Sequence, residues 1–330
     1  MHRETSLENS VLPLVVIEPP GEDLLVSGQE TKRRRLPPWL RVNLPAGDER
    51  LTFHATRQTV DGNQLHTVCE EAKCPNIHDC WSHGTATFMV AGKECTRGCR
   101  FCSVETLKLP PPLDVEEPAH LAAAVVRMKL EHVVITVVNR DDLPDGAASH
   151  YRKCVEAVHE QAPGVTIELL CSDLAGNFAA LESLLAGIPL SVFAHNVECV
   201  PRLDHVVRDP RASFQQSLQI LQAAKRQRPD LLTKSSLMLG LGEKDEEIVD
   251  ALKLLRSVDV ELLTLGQYLA PGRPGSRFLP VDRYVPPEQF DAWADMAKSL
   301  GFQGVASGPL VRSSYRAGEL LAEANQISGL

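Results

Sequence analysis

From residue 85 onward, short apolar runs rich in β-branched residues alternate with longer amphipathic stretches, the pattern of repeated βα units feeding a parallel sheet. The runs 86–90, 133–138, 165–170, 190–194, 232–239 and 262–268 predict six strands. Helical periodicity fills the intervals at 119–129, 151–161, 178–186, 213–227, 245–258 and 287–300. Within 213–227, Leu218, Leu221 and Ala224 share one face behind Ser213, a candidate cap. Six such units are too few for a closed eightfold barrel. They suit an α/β fold built as an open partial (β/α)6 barrel of the TIM type, with function on the loops at the strand C-termini. A doubly wound sheet is the alternative, because periodicity does not separate the two.

Residues 1–37 mix Pro, Glu, Ser and Gly without period and end in the basic run 32–35, which predicts a mobile or loosely docked arm. The expected division is this arm, an N-terminal extension over 38–84, the barrel over 85–305 and a C-terminal extension over 306–330. With 43% apolar residues in 330, the chain can fill a sizeable core. A net charge of −9 argues against non-specific nucleic-acid binding. The apolar run 11–17 is far shorter than the roughly 20 residues of a membrane helix. Glu4, Glu8, Glu18, Glu22 and Asp23 are unlike an acid-poor mitochondrial presequence, so the expected compartment is a reducing cytoplasm.

That setting changes the reading of the nine cysteines, because metal thiolates persist there and disulfides rarely do. Six cluster at positions 69, 74, 80, 95, 99 and 102. Cys95-Thr-Arg-Gly-Cys99-Arg-Phe-Cys102 follows the first strand candidate and reads C-x3-C-x2-C, the radical S-adenosylmethionine (SAM) signature. Three thiolates hold three irons of a cubane and leave the fourth open to a small molecule. A zinc knot would want a fourth Cys or His at short spacing. Upstream, Cys69, Cys74 and Cys80 form C-x4-C-x5-C, a second triad that implies a second cluster. Cys154, Cys171 and Cys199 lie on helix and strand patterns and read as small buried hydrophobes. His78 reads as a solvated loop histidine rather than a fourth ligand. Leu239-Gly240-Leu241-Gly242-Glu243 reads as a tight turn, since it lacks the Lys-Ser/Thr of a phosphate loop.

The second triad, with Glu70-Glu71-Ala72, Pro75-Asn76-Ile77 and Trp81 around it, resembles the lipoyl synthase family. The resemblance continues through Pro38-Trp39-Leu40-Arg41, Gly84-Thr85-Ala86-Thr87-Phe88-Met89, Arg140-Asp141-Asp142-Leu143-Pro144-Asp145-Gly146, His195-Asn196, Lys234-Ser235, 239–243, Gly266-Gln267-Tyr268-Leu269 and 306–309 to Arg312-Ser313-Ser314-Tyr315. It covers about 38–320 and leaves the N-terminal arm unmatched. His78, Asn139, Ala147 and Cys171 depart from the family's usual Gly, Asp, Gly and Pro, and 272–277 lengthens one loop; no cluster ligand is lost.

The resemblance implies a sulfurtransferase with two [4Fe-4S] clusters. The cluster on Cys95, Cys99 and Cys102 would cleave two SAM molecules in turn to methionine and 5′-deoxyadenosyl radicals, with Asn139, Arg140, Asp142, His195, Asn196 and Lys234 near the cofactor. The auxiliary cluster on Cys69, Cys74 and Cys80, with Ser314 as fourth ligand, would supply sulfur to C6 and C8 of a protein-bound octanoyl-lysine reached through a tunnel. From residue type alone, Ser313-Ser314 reads instead as a cap on a final helix beginning near Arg316. Implied partners are octanoylated carrier domains (the E2 of 2-oxoacid dehydrogenases and the glycine-cleavage H protein), a ferredoxin or flavodoxin reductant, and an iron–sulfur carrier for repair, with no nucleic acid and no membrane. Biotin synthase and methylthiotransferases are two-cluster rivals that place their second ligands differently. A ferredoxin-like carrier fails on length, because two three-cysteine clusters do not require six βα units.

Overall fold

The computed structural model describes residues 36–42, 46–62, 65–82, 86–273 and 275–328. The expected arm at 1–37 lies outside the described residues except for Leu36 and Pro37. The strands are β1 (His66–Thr67), β2 (Thr87–Val90), β3 (Glu94–Cys95), β4 (Glu105–Thr106), β5 (His132–Val137), β6 (Thr166–Leu170), β7 (Val192–Ala194), β8 (Leu232–Leu239), β9 (Leu262–Gln267) and β10 (Gly304–Gly308). Eight of them form one sheet in the order β1-β2-β5-β6-β7-β8-β9-β10, while β3 and β4 pair separately. Within the described residues of this sheet, every neighbour from β2 to β10 is parallel, and β1 runs antiparallel against β2.

The strands are laid down in sequence order, so the winding never reverses direction. A doubly wound sheet requires such a reversal, and its absence selects the curled, open half-barrel. All six predicted strands are present, and Leu232–Leu239 keeps its predicted bounds. Two strands of the large sheet escaped the pattern. His66–Thr67 is too short to show alternation, and Gly304–Gly308 carries two glycines and a serine in five residues, against strand propensity. It is held by its ladder to β9, so the boundary drawn at 305/306 cuts through a strand of the sheet.

Helices pack the outer face, as continuous apolar strands buried on both sides require. The Ser213 hydroxyl accepts from Gln216 N at 3.1 Å and caps Phe214–Gln227 as expected. The last helix, Ala317–Ser328, behaves differently. Leu320, Leu321 and Ala324 pack on Val192 and Leu262, while a Cβ at Gly318 would lie 3.1 Å from His132 Cβ. The helix therefore touches strands from β5 to β9 near their N-terminal ends and lies across that end of the lumen.

Candidate active site

Beyond Val90 the chain turns through Ala91 and Gly92, at φ +69° and +94°, and carries Cys95, Cys99 and Cys102 over the C-terminal end of the sheet. This loop is held at every step. Ala91 N donates to Glu117 Oε2 (2.8 Å) and Arg140 Nη1 donates to Ala91 O (3.2 Å). Thr96 N and Oγ1 both donate to Asn139 O at 3.0 Å. Arg97 is buried, with Nε and Nη2 forked onto Asp141 (3.0 and 2.8 Å) and Nη1 on Asp173 (2.7 Å). Asp209 Oδ2 accepts from Gly98 N at 2.9 Å. Burial is the largest single influence at Asp141 and Asp173 and opposes charge. The hydrogen bonds and charge of Arg97, with smaller contributions from Thr96 and Arg211 at Asp141 and from His195 and Ala175 N at Asp173, together outweigh it and hold both carboxyls below their ordinary range. The Arg211 guanidinium, more than any other group, pulls Asp209 down as well.

The sulfur environments fit thiolate ligands. Arg97 N lies 3.4 Å from Cys95 Sγ and Asp209 N 3.3 Å from Cys99 Sγ. Burial pushes the Cys99 thiol up to about 11 and Cys102 to about 12, and the neighbouring cysteines add to both. In the second triad burial likewise raises Cys69 to about 11 and Cys80 to about 12, with Cys74 also raised. Backbone N–H groups of Thr87 and Asn76 oppose this at Cys69 and Cys74. Desolvated thiols crowded together, with amides aimed at their sulfurs, ionise readily only against a cationic centre, which an iron–sulfur cluster provides. A single zinc ion does not fit. Among the described residues, the trio whose ligand atoms all lie within 4.8 Å of one another is Glu117, His150 and Cys154, not either cysteine triad. Both triads are spread more widely than one tetrahedral ion requires.

The C-terminal motif folds onto the second triad. Asn76 Nδ2 donates to Leu310 O (2.6 Å), and Tyr315 OH donates to Asp79 Oδ2 (3.3 Å). Half-buried Arg312 donates to Gln267 O and lies near enough to Cys74 for its charge to favour that thiolate. Thr87 Oγ1 donates to Ser314 Oγ at 2.8 Å, and Ser314 lines the same cavity as Cys80. Gly266 makes this approach possible, since a Cβ there would sit 2.0 Å from Val311 O. The structure thus takes Ser314 to Thr87 and Cys80, although it lies far from both along the chain.

A profile of the radical SAM superfamily matches residues 89–255, and one of the N-terminal domain of lipoyl synthase of the radical SAM family matches 22–74. The lipoyl synthase of Anaeromyxobacter dehalogenans (strain 2CP-C) is 51% identical over 284 residues, covering 86% of this chain and 94% of that protein. The chain belongs to the lipoyl synthase family. The Thermus thermophilus lipoyl synthase is 50% identical over 89% of this chain and 88% of its own length, and the human mitochondrial lipoyl synthase 50% over 88% and 78%. The FeFe-hydrogenase maturase HydG from Carboxydothermus hydrogenoformans shares the fold at 14% identity and TM-score 0.51, over 84% of this chain and 61% of that one. The match beginning at 22 corrects the expectation that the arm is wholly unmatched. Like its family, the chain is an enzyme of sulfur insertion with a [4Fe-4S] cluster and SAM. Bacterial and mitochondrial relatives both occur, so membership does not distinguish cytoplasm from matrix. Among the described residues no helix is long and apolar enough to cross a membrane.

For a lipoyl synthase, the expected cofactor contacts sort unequally. Asn139, His195 and Asn196 line a cavity of about 140 Å³ beside Cys99, together with Arg97, Asp173 and Arg208. Drug-sized pockets start at about 300 Å³, so this cavity is too small to enclose a molecule the size of SAM. His195 is already engaged: Nδ1 donates to Cys171 O (2.8 Å) and Nε2 accepts from Ser217 Oγ (2.9 Å), while burial pulls it down to about 4 and keeps it neutral. Arg140 and Asp142 are paired with each other at 2.9 and 2.8 Å, so Arg140 braces the loop through Ala91. Lys234 departs from expectation. Its ammonium is buried on both oxygens of Glu168 (2.8 and 2.9 Å) and is absent from the cavity wall. An unpaired Lys234 there would be costly, and Glu168 satisfies it instead.

One further reading changes, and two hold. His78 is in the helix Ile77–Ser82 and stacks on Phe53 at 5.4 Å, so it is not a solvated loop residue. The 239–243 segment is a tight turn, and Glu243 accepts the Gly240 and Leu241 N–H groups (2.7 and 2.8 Å) that a phosphate would need. Cys154, Cys171 and Cys199 are buried as expected. Arg97, Asp173, Asp209 and Thr87 received no role from sequence, because nothing in the spacing pairs them; the one available signal was charged residues falling at strand C-termini.

Proposed function

We propose that the chain converts an octanoyl group, amide-linked to a lysine of a carrier domain, into a lipoyl group by placing sulfur at C6 and C8. One observation carries this reading: two cysteine triads occupy the two ends of β2, with Ser314 brought by its bond to Thr87 into the same cavity as Cys80 of the second. Between Thr87 and Val90 a strand rises about 10 Å, comparable with an eight-carbon chain. When bound, the cluster on Cys95, Cys99 and Cys102 supplies with SAM the radical that removes hydrogen from carbon, and the cluster on Cys69, Cys74, Cys80 and Ser314 supplies sulfide. The chain's own task is positioning. Arg97, Asp141 and Asp173 fix the radical loop, Asn139 and Asn196 border the cofactor cavity, and Arg312 offsets thiolate charge at Cys74.

The substrates are lipoyl-carrier domains such as E2 and the H protein, with a ferredoxin or flavodoxin as reductant, an iron–sulfur carrier for repair, and the cytoplasm as the proposed location. The test is mass spectrometry of an octanoylated carrier domain after anaerobic incubation with SAM and reductant. Two sulfurs gained and two 5′-deoxyadenosines released support the reading; 5′-deoxyadenosine without sulfur gain by the unmodified, fully loaded protein overturns it. Cys74→Ala should keep SAM cleavage and lose sulfur insertion.

A further inference from the structure

The larger cavity, about 590 Å³, is bordered by none of the residues expected near SAM and lies at the N-terminal end of the half-barrel. Its inner wall carries Cys80, Thr87 and Ser314, and none of Cys95, Cys99 and Cys102 lines it. Its outer wall is made by the segment entering β5, with Glu131 and His132, and by the first turn of Ala317–Ser328, with Glu319. Glu131 and Glu319 are exposed, so the cavity opens to solvent between them.

We propose that this cavity is the passage by which iron and sulfide reach and leave the auxiliary site. The inference rests on the sulfur-donor reading above and adds a route to it. A site that gives up its sulfur must release iron and be refilled in every cycle, and that traffic needs an opening independent of the substrate arm. A passage for the octanoyl chain would have to border both triads; this one borders only the auxiliary end.

The wall chemistry agrees with ferrous iron. Exposed Glu131 and Glu319 are hard oxygen donors, and exposed Lys129 and Arg316 share the mouth with them, Arg316 pairing with Glu319 at 3.5 Å. The charge of the mouth is therefore balanced and repels neither a ferrous cation nor a sulfide anion. His132 adds an imidazole whose buried Nε2 lies 4.0 Å from Glu168. Oxygen and imidazole donors bind iron(II) weakly enough to pass it on, whereas thiolates retain it. Ser314 stands at the junction of passage and site, so an iron held by its oxygen rather than by sulfur is the one nearest the way out.

Glu131→Trp and Glu319→Trp would plug the mouth from opposite walls, each at an exposed side chain outside the catalytic machinery. Both holoproteins should make a first lipoyl group and release 5′-deoxyadenosine like the unmodified protein. Afterwards, iron passing to a colorimetric ferrous chelator, and reloading with ferric chloride, sulfide and dithiothreitol, should slow at least about tenfold, an added barrier of about 1.4 kcal/mol. Release and reloading at the unmodified rate in both variants would overturn the proposal. So would loss of the first lipoyl group with SAM cleavage retained, because the cavity would then admit the substrate arm. If the unmodified protein makes no lipoyl group, the sulfur-donor reading fails, and the reloading rates of plugged against unmodified protein still decide the passage.

Discussion

Replacing Arg97 by Met should do more damage than removing any other single charge at the radical loop. Asp141 would keep Arg211, whose Nη1 lies 3.3 Å from Oδ2. Asp173 would not be so protected: its side chain is 1% exposed, and after the substitution the donors it retains among the described residues are Gln216 Nε2 (2.7 Å) and Ala175 N (3.0 Å). Breaking one side of a buried ion pair costs about 3–5 kcal/mol, and those two remaining donors put this case near the lower end. The loop carrying Cys95 and Cys99 would also lose its Arg97 tie to the loop after β6, and its bonds to the loop after β5 would be those of Thr96. We expect Arg97→Met to lower unfolding stability by about 3 kcal/mol in urea titrations and to shed about half the bound iron while keeping the auxiliary share. In the double variant with Asp173→Asn the orphaned charge is gone, so part of the stability should return while 5′-deoxyadenosine release stays low. Stability within about 1 kcal/mol of the unmodified protein, with full iron content, would refute the argument.

Ser314→Ala should abolish lipoyl formation while Ser313→Ala is much milder, read by product mass; equal, undiminished turnover in both would leave Ser314 only its bond to Thr87. Ala147 sits at φ +69° where glycine is unstrained, so Ala147→Gly should be neutral or stabilising by up to about 1 kcal/mol in thermal unfolding. His195 and His132 have folded pKa values pushed by burial from 6.5 down to about 4. Folding holds them neutral, so their contribution is complete above 6.5 and declines as pH falls from there toward 4. Stability of the cluster-free protein should follow that decline, and His195→Asn should flatten it; an unchanged slope would contradict the assignment.

What could be read from sequence was local or periodic. Strand and helix patterns depend on neighbouring residues, so six strands, the Ser213 cap and the barrel class were accessible, as were two cysteine triads whose members lie within a few residues of each other. Gly304–Gly308 was not, because long-range pairing with β9 overrides its propensity. The same limit governs the site. Arg97 meets Asp173 across 76 positions, Thr87 meets Ser314 across 227, and Lys234 is drawn to Glu168 across 66. Periodicity carries no information about such partners. They are chosen when the sheet curls and each buried charge or hydroxyl must find its complement in the lumen, and only the tertiary structure decides that.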